Sequence, residues 1–153
     1  MNPPPGNPEL DAQVRGAVYH AFIAKTATPS MAELAASLSI SEQEVVACCR
    51  RLAAAHVLVL QPESGEVLMA NPFSAVPTAF SVTSGNREWW ANCIWDALGV
   101  LAMIAADGSI HTSCPDCGQG LSLTISSAHL IQTGHIVHFA VPAARWWDDI
   151  VFT

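Results

Sequence analysis

Positive charge is scarce in this sequence. Among 153 residues there are six Lys and Arg against 13 Asp and Glu, for a net charge of −7. A strong nucleic-acid binder neutralises phosphates with Lys and Arg. The six here do not cluster beyond Arg50-Arg51, so no nucleic-acid partner is expected. Charge of either sign is sparse at 12%, while 51% of the residues are hydrophobic, which allows a real core and argues against bulk disorder. Long apolar runs are missing too. The longest, around Ala97 to Ala106, is too short to cross a bilayer, so no membrane partner is expected. The N-terminus, MNPPPGNPEL, lacks the basic start and apolar stretch of a secretory signal. The expected compartment is therefore the cytoplasm, where thiols stay reduced. The odd number of cysteines, five, likewise argues against a complete disulfide framework. No internal repeat is present.

What is there reads as two successive units. Residues 1–8, with four prolines, form a flexible lead-in. From Glu9 to about Thr26, Leu10, Val14, Ala17, Val18, Ala21 and Phe22 recur at helical spacing. Ser30 with Glu33, and Ser41 with Glu44, are capping-box pairs that open two further helices, MAELAASL and EQEVVACCRRLAAAH. VLVLQ and EVLMA flank a turn at 62–65. Three helices and a hairpin over residues 9–72 predict a winged-helix-like domain. Its third helix begins Ser-Glu-Gln-Glu, which would aim carboxylates at phosphates. A structural role is therefore favoured over that of a winged-helix regulator.

Two prolines in Asn71–Thr78 mark a boundary, and residues 73–153 form the second unit. AFSVTS reads as a strand, Gly85-Asn86 as a turn, and about Arg87 to Ala105 as an apolar helix. SIHTSC and LSLTIS are strands on either side of the tight turn CPDCGQG. Ser127 to Ile131 is a short connector, HIVHFAVP a further strand, and ARWWDDIVFT closes the chain. The expected fold class is α+β, with a Cys-x-x-Asp helix packed on a small mixed or antiparallel sheet.

Within WWANCIWDALGV, Cys93 and Asp96 are three residues apart and would share one side of a helix. This stretch, the winged-helix-like segment before it and IHTSCPDCGQGLSLTIS, IVHFAVP and DDIVFT after it resemble the organomercurial (alkylmercury) lyase family in order and spacing, over roughly residues 30–153. The resemblance implies that Cys93 binds mercury as a thiolate and that Asp96 helps deliver the proton that replaces mercury on carbon. It implies a small organomercurial as substrate, mercury as the substrate metal and no required cofactor. It also implies a second cysteine at or just beyond DDIVFT, and this sequence ends at Thr153 without one. Cys114 or Cys117 would then have to stand in, although the family's thiol at the position of Cys114 is regarded as structural.

The chemistry agrees with this division of labour. Thiolates are soft ligands for a soft ion. A carboxyl kept protonated by an apolar surrounding can serve as a general acid. Trp89, Trp90 and Trp95 are candidates for that dry wall. The rival reading is a non-catalytic module that holds a soft metal or thiol-reactive ligand through Cys93, Cys114 and Cys117. Cys114 and Cys117 could also offer two thiolates to zinc, against the four ligands of a closed site. The bland readings apply elsewhere. Cys48-Cys49 is core plus flank, and His20 and His56 are surface residues. His135 and His138 face opposite sides of a strand, and Trp146-Trp147 cover the core.

Overall fold

The computed structural model describes residues 6–132 and 134–151. Residues 1–5 of the expected lead-in therefore lie outside the described residues. Asn7 caps the first helix, accepting the N–H groups of Glu9 and Leu10, and Pro8 sits where a missing N–H is harmless. Helix α1 spans Pro8–Lys25, α2 Met31–Leu38 and α3 Glu42–Ala54. Both capping boxes form, Ser30 with Glu33 and Ser41 with Glu44.

The strands that follow are β1 (Val59–Leu60), β2 (Val67–Ala70), β3 (Phe73–Ser74), β4 (Ser81–Ser84) and β5 (Arg87–Ala91). Helix α4 (Ile94–Ile104) comes next, then β6 (Gly108–Ser113), β7 (Gly120–Ser126) and β8 (His129–Leu130). All eight strands join one antiparallel sheet in the order β1-β2-β3-β5-β4-β6-β7-β8. The class is α+β, as expected. Pairing runs unbroken from β2 into β3, so the hairpin of the first half forms one end of the sheet.

Helices and sheet share a core. Phe22 of α1 stacks on Phe73 of β3, ring centroids 5.2 Å apart. The indole N–H of Trp89 donates to the Phe22 carbonyl at 2.8 Å, a helix-end acceptor that would otherwise rely on the Thr26 N–H alone. On α4, Gly99 lies against Pro72, where a Cβ would come within 3.2 Å of the ring. A Cβ on Gly108 would stand 2.3 Å from the Thr83 carbonyl oxygen, so β6 approaches β4 more closely there than a side chain permits.

Three local expectations are corrected. Arg87–Ala91 is a strand, so the apolar helix starts at Ile94 instead of near Arg87. The reason is the turn at Gly85-Asn86. With Gly85 at φ +60 it folds β5 back on β4, pairing Trp89 with Val82 and Trp90 with Ser81. Adjacent tryptophans favour such a pleated surface. Residues 135–142, expected as a strand, have no regular structure, and 135–140 are exposed, with Ile136 93% so. The sheet ends instead at β8, within the segment read as a connector. The chain then crosses back, and a short 3₁₀ helix (Ala143–Asp148) lays Trp147 flat against His56 at 4.2 Å.

Candidate functional site

Cys93 is the N-cap of α4, where β5 gives way to helix. Its backbone is extended, and its sulfur accepts the Asp96 N–H at 3.4 Å. Cysteine thus occupies the position usually taken by Ser, Thr, Asp or Asn, and Asp96 is the third residue of the helix. The pair does sit together, but through a cap and not through a shared helical stripe.

Two effects compete at this helix start. The N-terminal dipole and the Asp96 and Trp95 amides favour negative charge. Burial opposes it, and burial wins. It pushes the Cys93 thiol above its usual range, and the nearby Asp96 charge adds to the effect. It likewise raises the Asp96 carboxyl, against the hydrogen bonds from Asn92 and Cys93 that pull it down. Both groups therefore hold their protons more firmly than they would in water.

Asn92 organises the floor. Its Nδ2 lies 3.0 Å from Asn71 Oδ1, 3.2 Å from Asp96 Oδ2 and 3.3 Å from the Phe73 carbonyl oxygen. Three acceptors around one nitrogen fix the orientation of the amide. They leave Oδ1 buried with no hydrogen-bond partner among the described residues. Asn71 is held in turn by the Tyr19 hydroxyl, which donates to its carbonyl at 2.8 Å. Helix α1 thereby braces a floor built on β5 and α4.

A cavity of about 90 Å³ opens over these groups. Asn71, Asn92, Cys93 and Asp96 supply its polar side, and Met69, Phe139, Trp146, Ile150 and Val151 its apolar side. A second cavity, of about 300 Å³, also borders Cys93 and Asn92, and is lined by Phe80, Ile94, His138 and Val141 among others. Phe139 and Trp146 belong to both, with ring centroids 5.2 Å apart, and the Trp146 indole donates to the Val141 carbonyl at 2.8 Å.

The dry wall is thus not the one expected. Trp89 is 2% exposed but turned to α1, and Trp95 is 66% exposed. Trp90 lines neither cavity. Phe139 and Trp146 take the role. Sequence reading missed both, along with Met69, Asn71 and Asn92. The available signals were the aromatic pair at Trp146-Trp147 and the polar Asn92 beside Cys93 in an otherwise apolar stretch.

The other thiols lie elsewhere. Cys114 and Cys117 occupy the turn between β6 and β7, where Cys114 is partly exposed and Cys117 exposed. The amides of Cys117 and Asp116 lower the Cys114 thiol below its usual range. Cys93, Cys114 and Cys117 do not form one ligand set. Among the described residues no three His, Cys, Asp or Glu are grouped to hold a metal ion, so a closed zinc site at Cys114 and Cys117 finds no support. Cys48 and Cys49 are buried, with thiols pushed up to about 11 and about 12, chiefly by desolvation. His20, His56, His135 and His138 are exposed. Among the described residues no helix is long and apolar enough to cross a membrane.

Residues 73–153 match the model of one family, alkylmercury lyase. This is more than half of the chain, and the chain belongs to the alkylmercury lyase family. Its fold is shared with a solved structure described as the mercury-bound form of MerB2, at a TM-score of 0.66 and 20% sequence identity. That match covers 82% of this chain and 60% of the other, so the present chain spans about three-fifths of its length. No curated protein sequence matches.

Proposed function

We propose that this protein captures an organomercurial at Cys93 and cleaves its carbon–mercury bond by protonation from Asp96. The observation that carries this reading is the pairing of a half-buried thiol with a half-buried carboxyl, whose pKa burial raises, at the first turn of α4 beside Phe139 and Trp146. Family membership supports it, as does the fold likeness to a mercury-bound protein.

The steps balance as follows. The Cys93 sulfur bonds to mercury and displaces the ligand opposite the organic group, and that ligand leaves with the thiol proton. A second thiolate, supplied by a free small-molecule thiol such as cysteine, adds electron density to mercury, which makes its carbon more basic. The Asp96 proton passes to that carbon, the carbon–mercury bond breaks, and the hydrocarbon leaves. Mercury remains on sulfur and Asp96 is left as a carboxylate. No oxidant or reductant is needed. Asn92 holds the carboxyl in place through Nδ2, and the resulting charge is stabilised by the same bond and by the helix terminus. Within this scheme the aromatic cover excludes water, and the larger cavity takes the organic group. Ile150 and Val151 bring the last described residues to the cavity wall.

The alternative, a thiol trap without catalysis, has no use for a half-buried carboxyl beside the sulfur. The test is substoichiometric labelling with phenylmercury, mapped by mass spectrometry. The label falls on Cys93 first. Preferential labelling of Cys48 or Cys49 would falsify the assignment.

A further inference from the structure

We propose that the turn carrying Cys114 and Cys117 is a second, independent site, which takes a two-coordinate thiophilic ion such as Hg²⁺ as a bis-thiolate. Only the source of the ion rests on the function proposed above.

The turn is built for it. The Cys114 N–H donates to the Gln119 carbonyl at 2.8 Å and the Gly118 N–H to the Cys114 carbonyl at 2.9 Å, which ties the base of the loop. Gly118, at φ +73, provides the left-handed step that closes it. Cys114 and Cys117 stand three residues apart on this closed loop. Two thiols on one short, braced turn offer two donors to an ion that needs two. Zinc needs four, and no third or fourth ligand is grouped here among the described residues. On binding, two S–H bonds break and two metal–sulfur bonds form. Two protons go to solvent, and nothing is oxidised or reduced.

Register places this turn at the same end of the sheet as Cys93. Ser81 of β4 pairs with Trp90 on one side and His111 on the other. Cys93 lies three residues beyond Trp90, and Cys114 three beyond His111. The strands that lead to the two thiols, β5 and β6, therefore run out at the same end of the sheet, two places apart, which is about 10 Å between strands at the usual spacing. An ion freed of its organic group at Cys93 would meet this dithiol next. Cys117 is exposed and Cys114 partly so, whereas Cys48 and Cys49 are buried.

The test supplies the ion directly, as an inorganic Hg²⁺ salt, so its outcome is independent of any carbon–mercury cleavage. One equivalent is added to the reduced Cys93→Ser chain in the presence of a fivefold excess of glutathione. Bound metal is counted by native mass spectrometry, and free thiols are mapped by alkylation. The expected result is one ion per chain, with Cys114 and Cys117 both protected and Cys48 and Cys49 unchanged. Adding Cys117→Ser should weaken retention at least tenfold, with circular dichroism confirming that the fold is intact. The proposal is overturned if Cys114 and Cys117 alkylate as fast with the ion as without it. It also falls if the Cys117→Ser variant holds the ion as firmly, or if the ion is found on Cys48 or Cys49.

Discussion

The backbone N–H of Asp96 donates to the sulfur of Cys93 at 3.4 Å, so the thiol and the carboxyl are locked within a single turn of chain. The contact makes one residue both a brace for the thiol, through its backbone, and the candidate acid, through its side chain. The two roles separate under substitution. Asp96→Asn keeps the backbone donor and the size but removes the proton. Mercurial capture at Cys93 should survive, while the cleavage rate falls by about two to four powers of ten. Cys93→Ser should lose both, since a hydroxyl is a poor ligand for a soft ion. Equilibrium binding and product release, measured on the same variants, check the separation. Equal loss of capture in both would refute it.

The pH dependence has a definite sign. Asp96 must be protonated to act, so cleavage declines as pH rises through its pKa. Burial raises that pKa, and the Asn92 hydrogen bond, which favours the carboxylate, pulls part of the shift back. Asn92→Ala removes the bond and should move the descending limb of the pH–rate profile to higher pH. A limb that stays in place or moves down would show that Asn92 does not act on this acid.

Trp146 tests the role of the cover. It borders both cavities beside Cys93, whose thiol is raised mainly by burial. Trp146→Ala admits water, lets the thiol return toward its ordinary value and raises the thiolate fraction at neutral pH. Iodoacetamide should then modify Cys93 several-fold faster than in the parent. Unchanged reactivity would mean that the cover lies elsewhere.

Much of the fold was legible because its signals are local. Asn7 apart, the caps of the first half were plain in the sequence: Ser30 with Glu33 and Ser41 with Glu44 form as read. Strand Arg87–Ala91 was not, because Trp89, Trp90 and Ala91 extend the apolar run of α4 and hide a change of period. Only the Gly85-Asn86 turn separates the readings. The pair Cys93 and Asp96 was legible because a cap and a helical face give nearly the same spacing. Its surroundings were not. Met69, Phe139 and Trp146 come from distant parts of the chain, and no sequence period links them. The non-strand at 135–142 belongs with them, since Phe139 reaches the site by leaving the sheet.

The first half offers a stability test remote from the site. Asp11 and Arg51 form a two-pronged pair at 2.6–3.2 Å that ties α1 to α3. The guanidinium holds the Asp11 carboxyl below its ordinary value of 3.8. A lowered carboxylate stabilises the fold above that value, and the contribution disappears as pH falls through the folded-state value. Asp11→Asn should therefore cost about 0.5–1 kcal/mol near neutral pH, given the partial exposure of the pair, and almost nothing in strong acid. Urea unfolding at the two pH values decides it, and a cost that grows toward acid would contradict the pairing.

The central claim is that Asp96 protonates a carbon held on mercury at Cys93. Its most direct measurement is the release of monodeuterated benzene from phenylmercury in heavy water. The assay contains the chain, free cysteine to supply a second thiolate, and a blank with free cysteine alone. The account predicts deuterated benzene from the parent at a rate well above the blank, and release at the blank rate from Asp96→Asn, although phenylmercury is bound at Cys93 in both. Release from Asp96→Asn as fast as from the parent, or no release from a parent whose Cys93 is fully occupied, would contradict it.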